Sequence, residues 1–497
     1  MGAFHAYDIR GIYNVDFDKE TAYKVGYFLP ELLSADKVLV GRDARVSSPE
    51  IHDYLLKGIT DAGADVYDIG LSTTQSDPTD QTDRTDAEKL KIVVADDNLQ
   101  LIARLEKELS QWYEVKTAHN GADALKIIEQ EEIDIIIELI GGTKVAYELV
   151  KAALHAGKPV VTGNKALLAE YGSELFKLSS SMGVPLYFEA SCGGGIPIIQ
   201  SLQNSLICNK VQSIAGIING TSNYILTSMK EQGLSLQEAL ANAQKLGFAE
   251  ADPSFDINGW DAAHKALILA MLAYGTPLSP DKIHVHGIEK VESVDISFAE
   301  RLGYTIKLLV VIKHHKESDR LELRVQPSFV PQNHLLASVN GVFNAIAVKG
   351  DIVGETIFYG RGAGKNPTSS AVIGDIVLAM RECRLNGYHT GFQPYTKELA
   401  VLPMKETVTP YYVRFVIHDR PGMIASIATM FAKYDVSISA TSSNFGYIDD
   451  EGVQHNNLIF MVHACKWQRL KYVLRELREN HIIDRLPVVF RIETFND

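Results

Sequence analysis

From Gly259 to Gly275 the chain reads GWDAAHKALILAMLAYG, a run of Ala, Leu and Ile with almost no polar face. These residues favour helix, and a helix apolar on most sides persists only when other elements enclose it. The fold must therefore build a sizeable domain around this segment. One cation interrupts the run, at Lys265. Burying an ammonium is costly, so a partner is expected, and Asp261 lies one turn earlier on the same face. A structural ion pair explains that spacing as well as a functional one. The preceding FAEADPSFDIN adds Glu250, Asp252 and Asp256, and all four carboxylates are expected to converge on Lys265 as an acid/base site.

The segment resembles the signature of the homoserine dehydrogenase family, with its acidic loop, Asn-Gly-x-Asp turn and lysine-bearing helix. The likeness begins near Asp134 with DIIIELIGGT and continues through HAGKPVVTGNKALLAEYG, YFEASCGGGIPII, INGTSNYIL and YGRGAGKNPTSSAVIGDIV. It implies NAD(P)H-dependent interconversion of aspartate semialdehyde and homoserine, on the way to threonine, methionine and isoleucine. It further implies that Lys265 exchanges a proton with the substrate oxygen and that Lys165 is a second lysine at the reacting centre. By the same likeness Glu250 binds the substrate amine with Asp256 and Asp261 in support, and Lys165, Gly141 and Gly362 contact the NADP or NAD. The carbonyls of Glu189, Cys192, Gly194 and Ile196 would hold a monovalent cation such as Na+. The chemistry suits these residues: a hydride arriving at an aldehyde carbon leaves the oxygen needing both charge stabilisation and a proton, which an ammonium supplies. Taken alone, Lys165 reads equally as a solvated lysine opening a helix, the triple glycine as a turn, and GRGAG at Gly360–Gly364 as a helix cap.

The front of the chain follows other patterns. AYDIRG (Ala6–Gly11) and VLVGRDARVSSPE (Val38–Glu50) resemble the first domain of the phosphoglucomutase and phosphomannomutase family, which would set Arg10 and Arg42 in or near a phosphosugar cleft. The serine loop that carries the phosphoryl group in that family does not follow. A polar stretch, QSDPTDQTDRTDAEK, reads as a linker instead. From Leu90, KIVVADDN and the strand and helix after it resemble the first half of a response-regulator receiver, with Asp96 and Asp97 matching its acidic pair and Glu138 and Leu139 standing where its phosphoacceptor belongs. No GxGxxG turn occurs before Asp134. Two carboxylates at the first strand-to-helix turn would instead face the cofactor's pyrophosphate, an unfavourable approach. The alternatives to the dehydrogenase are therefore an inert or amino-acid-binding mosaic and, behind it, a mutase or phosphorelay fragment.

The tail from Pro410 alternates as strand, helix, strand, strand, helix, strand and resembles an ACT domain. The likeness sets a small amino acid, threonine by expectation, around Asp419, Gly422, Met423 and Ile424. A dimerisation module with a vacant site is the alternative, and either one implies a homo-oligomer. A net charge of −14 without basic runs argues against nucleic acid and anionic membranes as partners. MGAFHAYDIRG lacks a secretory pattern, and four widely spaced cysteines suggest reduced thiols, so a cytoplasmic protein is expected. The whole is expected to be an α/β multidomain mosaic. Its parts are a mutase-like fragment (1–74), a linker (75–89), a Rossmann-like hybrid parallel-sheet domain (90–165 with about 363–385), an α+β catalytic domain (166–362), a second linker (386–409) and a βαββαβ ACT domain (410–497).

Overall fold

The computed structural model describes residues 19–33, 37–42, 48–71, 90–111, 113–384, 397–418, 420–448, 454–483 and 485–495. The first linker, Arg10 and Asp419 lie outside these residues. The chain divides into two compact units, Met1–Glu88 and Lys89–Asp497.

In the first unit, helices Lys19–Leu33 and Ser48–Asp61 accompany parallel strands Lys37–Arg42 and Asp65–Leu71. Ile59 and Ala64 form its small buried core, against Leu29, Leu55, Leu56 and Val66.

The second unit begins with a five-stranded, all-parallel sheet. Its strands, in spatial order, are Glu114–Ala118, Lys91–Ala95, Ile135–Glu138, Val160–Thr162 and Leu186–Tyr187. Parallel strands covered on both faces read as unbroken apolar runs, as KIVVA and DIII do. Alternation along the strands divides two cores. Val93, Ala95 and Ile136 pack with residues of helices Gly121–Gln130, Lys144–His155 and Lys165–Met182. Ile92, Val94, Ile135 and Ile137 face the other way, onto Leu105 and Leu109 and onto Val372, Ile376, Ala379 and Met380 of helix Lys365–Arg384. That last helix reaches the sheet only after a long excursion of the chain.

The excursion builds a second, mostly antiparallel sheet from strands Val211–Ile217, Tyr304–His315, Arg320–Pro331, Phe343–Gly350 and Gly354–Arg361. Helices Gly220–Gln232, Trp260–Tyr274 and Ser293–Arg301 pack against it. The expected helix after Gly259 is present, and Ala262, Ala263 and every residue from Ala266 to Met271 are buried.

The tail folds as expected from its alternation, with strands Val408–His418, Ile438–Ile448, Gln454–Lys466 and Val488–Ile492 and helices Met423–Lys433 and Trp467–Glu479. It does not hang from a free linker. Val488–Ile492 pairs with both Val408–His418 and Arg320–Pro331, so the mostly antiparallel sheet continues into the tail. The stretch expected as a second linker already contains Ala400–Val401, paired with Arg320 and Leu321. Buried charges stitch the same seam: Arg324 donates to Glu322 and Glu493 at 2.6 Å each, and Arg414 grips Asp295 through Nε and Nη2 at 2.6 and 3.0 Å. Among the described residues no helix is long and apolar enough to cross a membrane. All four cysteines are free thiols.

Candidate active site

Helix Trp260–Tyr274 starts after Gly259, whose φ of 87° a side chain would strain, and its first turn carries Asp261. One turn on, Lys265 Nζ donates to Asp261 Oδ2 at 2.7 Å and to the Ile218 carbonyl at 2.9 Å. A second ammonium arrives from helix Lys165–Met182: Lys165 Nζ lies 2.9 Å from Asp261 Oδ1. One buried carboxylate thus holds two lysines, one on each oxygen. Burial opposes its charge, but the two ammoniums outweigh that and hold Asp261 well below the usual carboxylate range. Lys165 feels the same balance from the other side; burial weakens its charge, and Asp261 more than restores it, raising its pKa.

Only part of the expected convergence occurs. Asp256 joins through Asn219, whose Nδ2 donates to Asp256 Oδ1 at 2.7 Å and to Asp261 Oδ2 at 2.8 Å. Asp252 instead accepts the Ser254 N–H at 3.1 Å, a local turn, and is exposed. Glu250 is also exposed, on the loop that leads to the site. The expectation of four carboxylates aimed at Lys265 therefore reduces to two, because Asp-Pro-Ser closes on itself. Asn219 gave no signal of this role beyond its position before Gly-Thr-Ser, where it caps helix Gly220–Gln232.

The glycine-rich loops meet each other. Gly193 and Gly194 have φ of 72° and 56°, and a Cβ on Gly194 would lie 2.6 Å from the Gly362 carbonyl group. A Cβ on Gly362 would in turn fall 1.7 Å from Asn344 Nδ2. Only glycine permits this approach. Gly362 is thus packed into the junction of the loops, and the Gly195 N–H donates to the Arg361 carbonyl at 3.1 Å. Glu189 caps the helix after the turn, accepting the Ile199 and Gln200 N–H groups at 3.0 and 2.8 Å. Its carbonyl accepts from Cys192 N and that of Ile196 from Ile198 N, so two of the four expected cation ligands also serve the local backbone. The Cys192 sulfur lies 3.6 Å from the Lys265 main-chain carbonyl, and burial pushes its thiol up to about 12. Among the described residues no group of three or more His, Cys, Asp or Glu side chains is placed for a metal.

At the carboxyl ends of the parallel strands lies a cleft of about 640 Å³. It opens beside strands Lys91–Ala95 and Ile135–Glu138, from which the chain crosses to opposite sides, the position where open α/β sheets bind ligands. Gly141, Gly163 and Gly364 give it backbone walls, Leu139 and Ile140 an apolar floor, and Thr368 and Ser369 hydroxyls. Lys165 lines it as well, so the lysine that touches Asp261 also faces the cleft. These residues suit a nicotinamide dinucleotide. Asp96 lines the cleft, its carboxylate raised by burial despite the Asn98 N–H at 2.6 Å, and Asp97 follows it. Behind the wall, burial lifts Glu138 to about 7 while the Thr162 hydroxyl donates to it at 2.6 Å.

In the tail, Gly422, Met423 and Ile424 line one cavity of about 520 Å³ with Ile417, Ser443 and Asn456. Gly422 has a φ of 88° at the start of helix Met423–Lys433.

A dinucleotide-type sheet whose cleft shares a lysine with a buried acid/base cluster defines a nicotinamide-dependent oxidoreductase. Comparison with known proteins narrows that class. Residues 197–377 match the family "Homoserine dehydrogenase" and residues 79–189 match "Homoserine dehydrogenase, NAD binding domain", the latter spanning the segment likened to a receiver. Residues 1–77 match "Phosphoglucomutase/phosphomannomutase, alpha/beta/alpha domain I". The homoserine dehydrogenase of Neisseria gonorrhoeae is 42% identical over 380 residues, 76% of this chain and 86% of that protein. The crystal structure of a homoserine dehydrogenase from Thiobacillus denitrificans superposes with a TM-score of 0.74 at 34% identity, covering 82% of this chain and 99% of that one. A hyperthermophilic archaeal homoserine dehydrogenase mutant in complex with NADPH, 26% identical, matches 59% of this chain and 98% of its own with a TM-score of 0.50. The chain belongs to the homoserine dehydrogenase family.

Proposed function

We propose that the chain interconverts aspartate semialdehyde and homoserine with NAD(P)H, and that Lys265 is the proton donor to the substrate oxygen. The observation that carries this reading is the double pairing of Asp261 with Lys165 and Lys265. The nicotinamide supplies or takes the hydride. The protein supplies the rest. An ammonium has three donors; Asp261 and the Ile218 carbonyl engage two on Lys265, and the third serves the aldehyde oxygen as charge develops. In the oxidation direction, the same amine takes the hydroxyl proton. Lys165, placed between cleft and carboxylate, orients both partners. Glu250 and Asp256 are the candidates for the substrate ammonium, since a buried amine needs a carboxylate. Gly141 and Lys165 hold the cofactor, with Gly362 shaping the loop beside it, and a Na+-type cation would rest on the carbonyls of Glu189, Cys192, Gly194 and Ile196.

In this reading the tail is an ACT-type module whose cavity at Gly422, Met423 and Ile424 takes a small amino acid, threonine in the first instance. The protein works as a homo-oligomer, a view supported by the outermost strand Gly354–Arg361, where Tyr359 is exposed. The test is homoserine-dependent reduction of NADP and NAD by the purified chain, with Lys265→Ala beside it to expose a contaminating enzyme. Saturable turnover absent from the variant is expected. A folded, inactive wild type would favour the mosaic that binds only an amino acid. The acidic pair beside the cleft makes a separate prediction, since Asp97 Oδ2 lies 3.9 Å from where a Cβ on the cleft residue Gly141 would stand. Asp97→Asn should tighten NADPH binding about two- to fivefold, the effect of relieving one unfavourable charge near a helix start. Fluorescence titration of NADPH measures it, and weaker binding in the variant would show that Asp97 assists the cofactor.

A further inference from the structure

Asn219 stands two residues beyond strand Val211–Ile217 with φ −122° and ψ 110°, and its Oδ1 accepts the Ser222 N–H at 2.7 Å. That bond fixes which way the amide faces. Its two Nδ2 protons then have one destination each, Asp256 Oδ1 and Asp261 Oδ2. The residue is 4% exposed, so water does not substitute for either bond. Ser222 Oγ also donates to the Asp256 carbonyl at 2.8 Å, which ties the acidic turn to the same helix start.

We propose that Asn219 is a positioning residue of the reaction: its amide separates Asp256 from Asp261 and aims Asp261 so that each oxygen serves one lysine. The inference rests on the proposed role of Lys265. A helix cap needs only the Asn219 oxygen, which leaves the two-carboxylate grip to be explained by the site. Without the amide the buried Asp261 and the half-buried Asp256 carboxylates face each other, and one of them gains a proton at higher pH. The titratable groups that bear on the pair are Lys165, His264, Lys265 and Cys192. Only the lysines offer charge to offset it, and both bind Asp261 rather than Asp256. Burial already raises Asp256, with Asn219 the strongest opposing influence.

Serine at this position keeps the helix cap but lacks the paired N–H donors and adds no charge. In Asn219→Ser, kcat should fall about 10- to 100-fold, as for loss of a hydrogen bond to a buried charge. The acid limb of the kcat–pH profile should move up by about one unit, with KM and the melting temperature changing little. Titration of 13Cγ-aspartate resonances in wild type and variant reads the carboxylates directly, with or without turnover. A raised aspartate titration in the variant supports the proposal even if the wild type proves inactive, which would sink the enzymatic reading alone. Unchanged carboxylate titration and a wild-type pH profile overturn it. Loss of activity that only tracks loss of folding in the serine variant, with full activity in the cap-preserving Asn219→Asp, overturns it too.

Discussion

Lys265→Ala should lower turnover by about 10²- to 10⁴-fold, the range general acid–base groups contribute, while NADPH affinity stays near wild type. The separation follows from the geometry. Lys265 sits 7% exposed against Asp261 and the Ile218 carbonyl and is not among the residues that line the cleft, whereas Lys165 lines it together with Lys365. Folding should survive, because Asp261 retains Lys165 and Asn219. Lys165→Ala, by contrast, should damage both cofactor affinity and turnover. Steady-state kinetics with NADPH titration reads both variants. Full turnover in Lys265→Ala would remove this lysine from the mechanism.

The second large effect concerns the seam between helix Ser293–Arg301 and the tail. Arg414→Ala should destabilise the protein by about 3–5 kcal/mol, since it strands the Asp295 carboxylate in a site that water does not reach. The remaining contacts, the Tyr412 hydroxyl at 2.9 Å and the Glu292 N–H at 3.2 Å, do not replace a bidentate guanidinium. Replacing both members, Arg414→Met with Asp295→Leu, should recover most of the loss, because apolar groups avoid the desolvation cost. Urea unfolding compares the three. A single-variant loss below about 1 kcal/mol, typical of an exposed pair, would mean that water enters the seam.

The sequence revealed elements whose signal is local. Helix Trp260–Tyr274 followed from its apolar run, and the Asp261–Lys265 pair from a four-residue spacing. The tail's alternation announced its strands and helices in order. What escaped depended on distant pairings. Asn219 meets its carboxylates 37 and 42 residues further on, and no periodicity within either segment joins them. Lys165 was legible only through family likeness, since the ion pair that defines it crosses from one helix to another. The continuation of one sheet into the tail depends on Ser328 and Phe329 meeting Arg491 and Ile492, a register that neither strand encodes by itself. Asp252 misled because a carboxylate in an acidic cluster looks the same whether it faces a lysine or closes its own turn.

Helix Lys365–Arg384 also sets a timetable for the growing polypeptide. Ile92, Val94, Ile135 and Ile137 leave the ribosome early, and the side chains that cover them, Val372 to Met380, arrive only after the strands Val211–Ile217 to Gly354–Arg361 have been made. At ordinary elongation rates the gap is roughly 15–60 s. For that time one face of the nascent nucleotide sheet lacks half its cover, which makes the unfinished chain a natural client for chaperones. Circular permutants that move this helix next to the first strand should fold with less of that help.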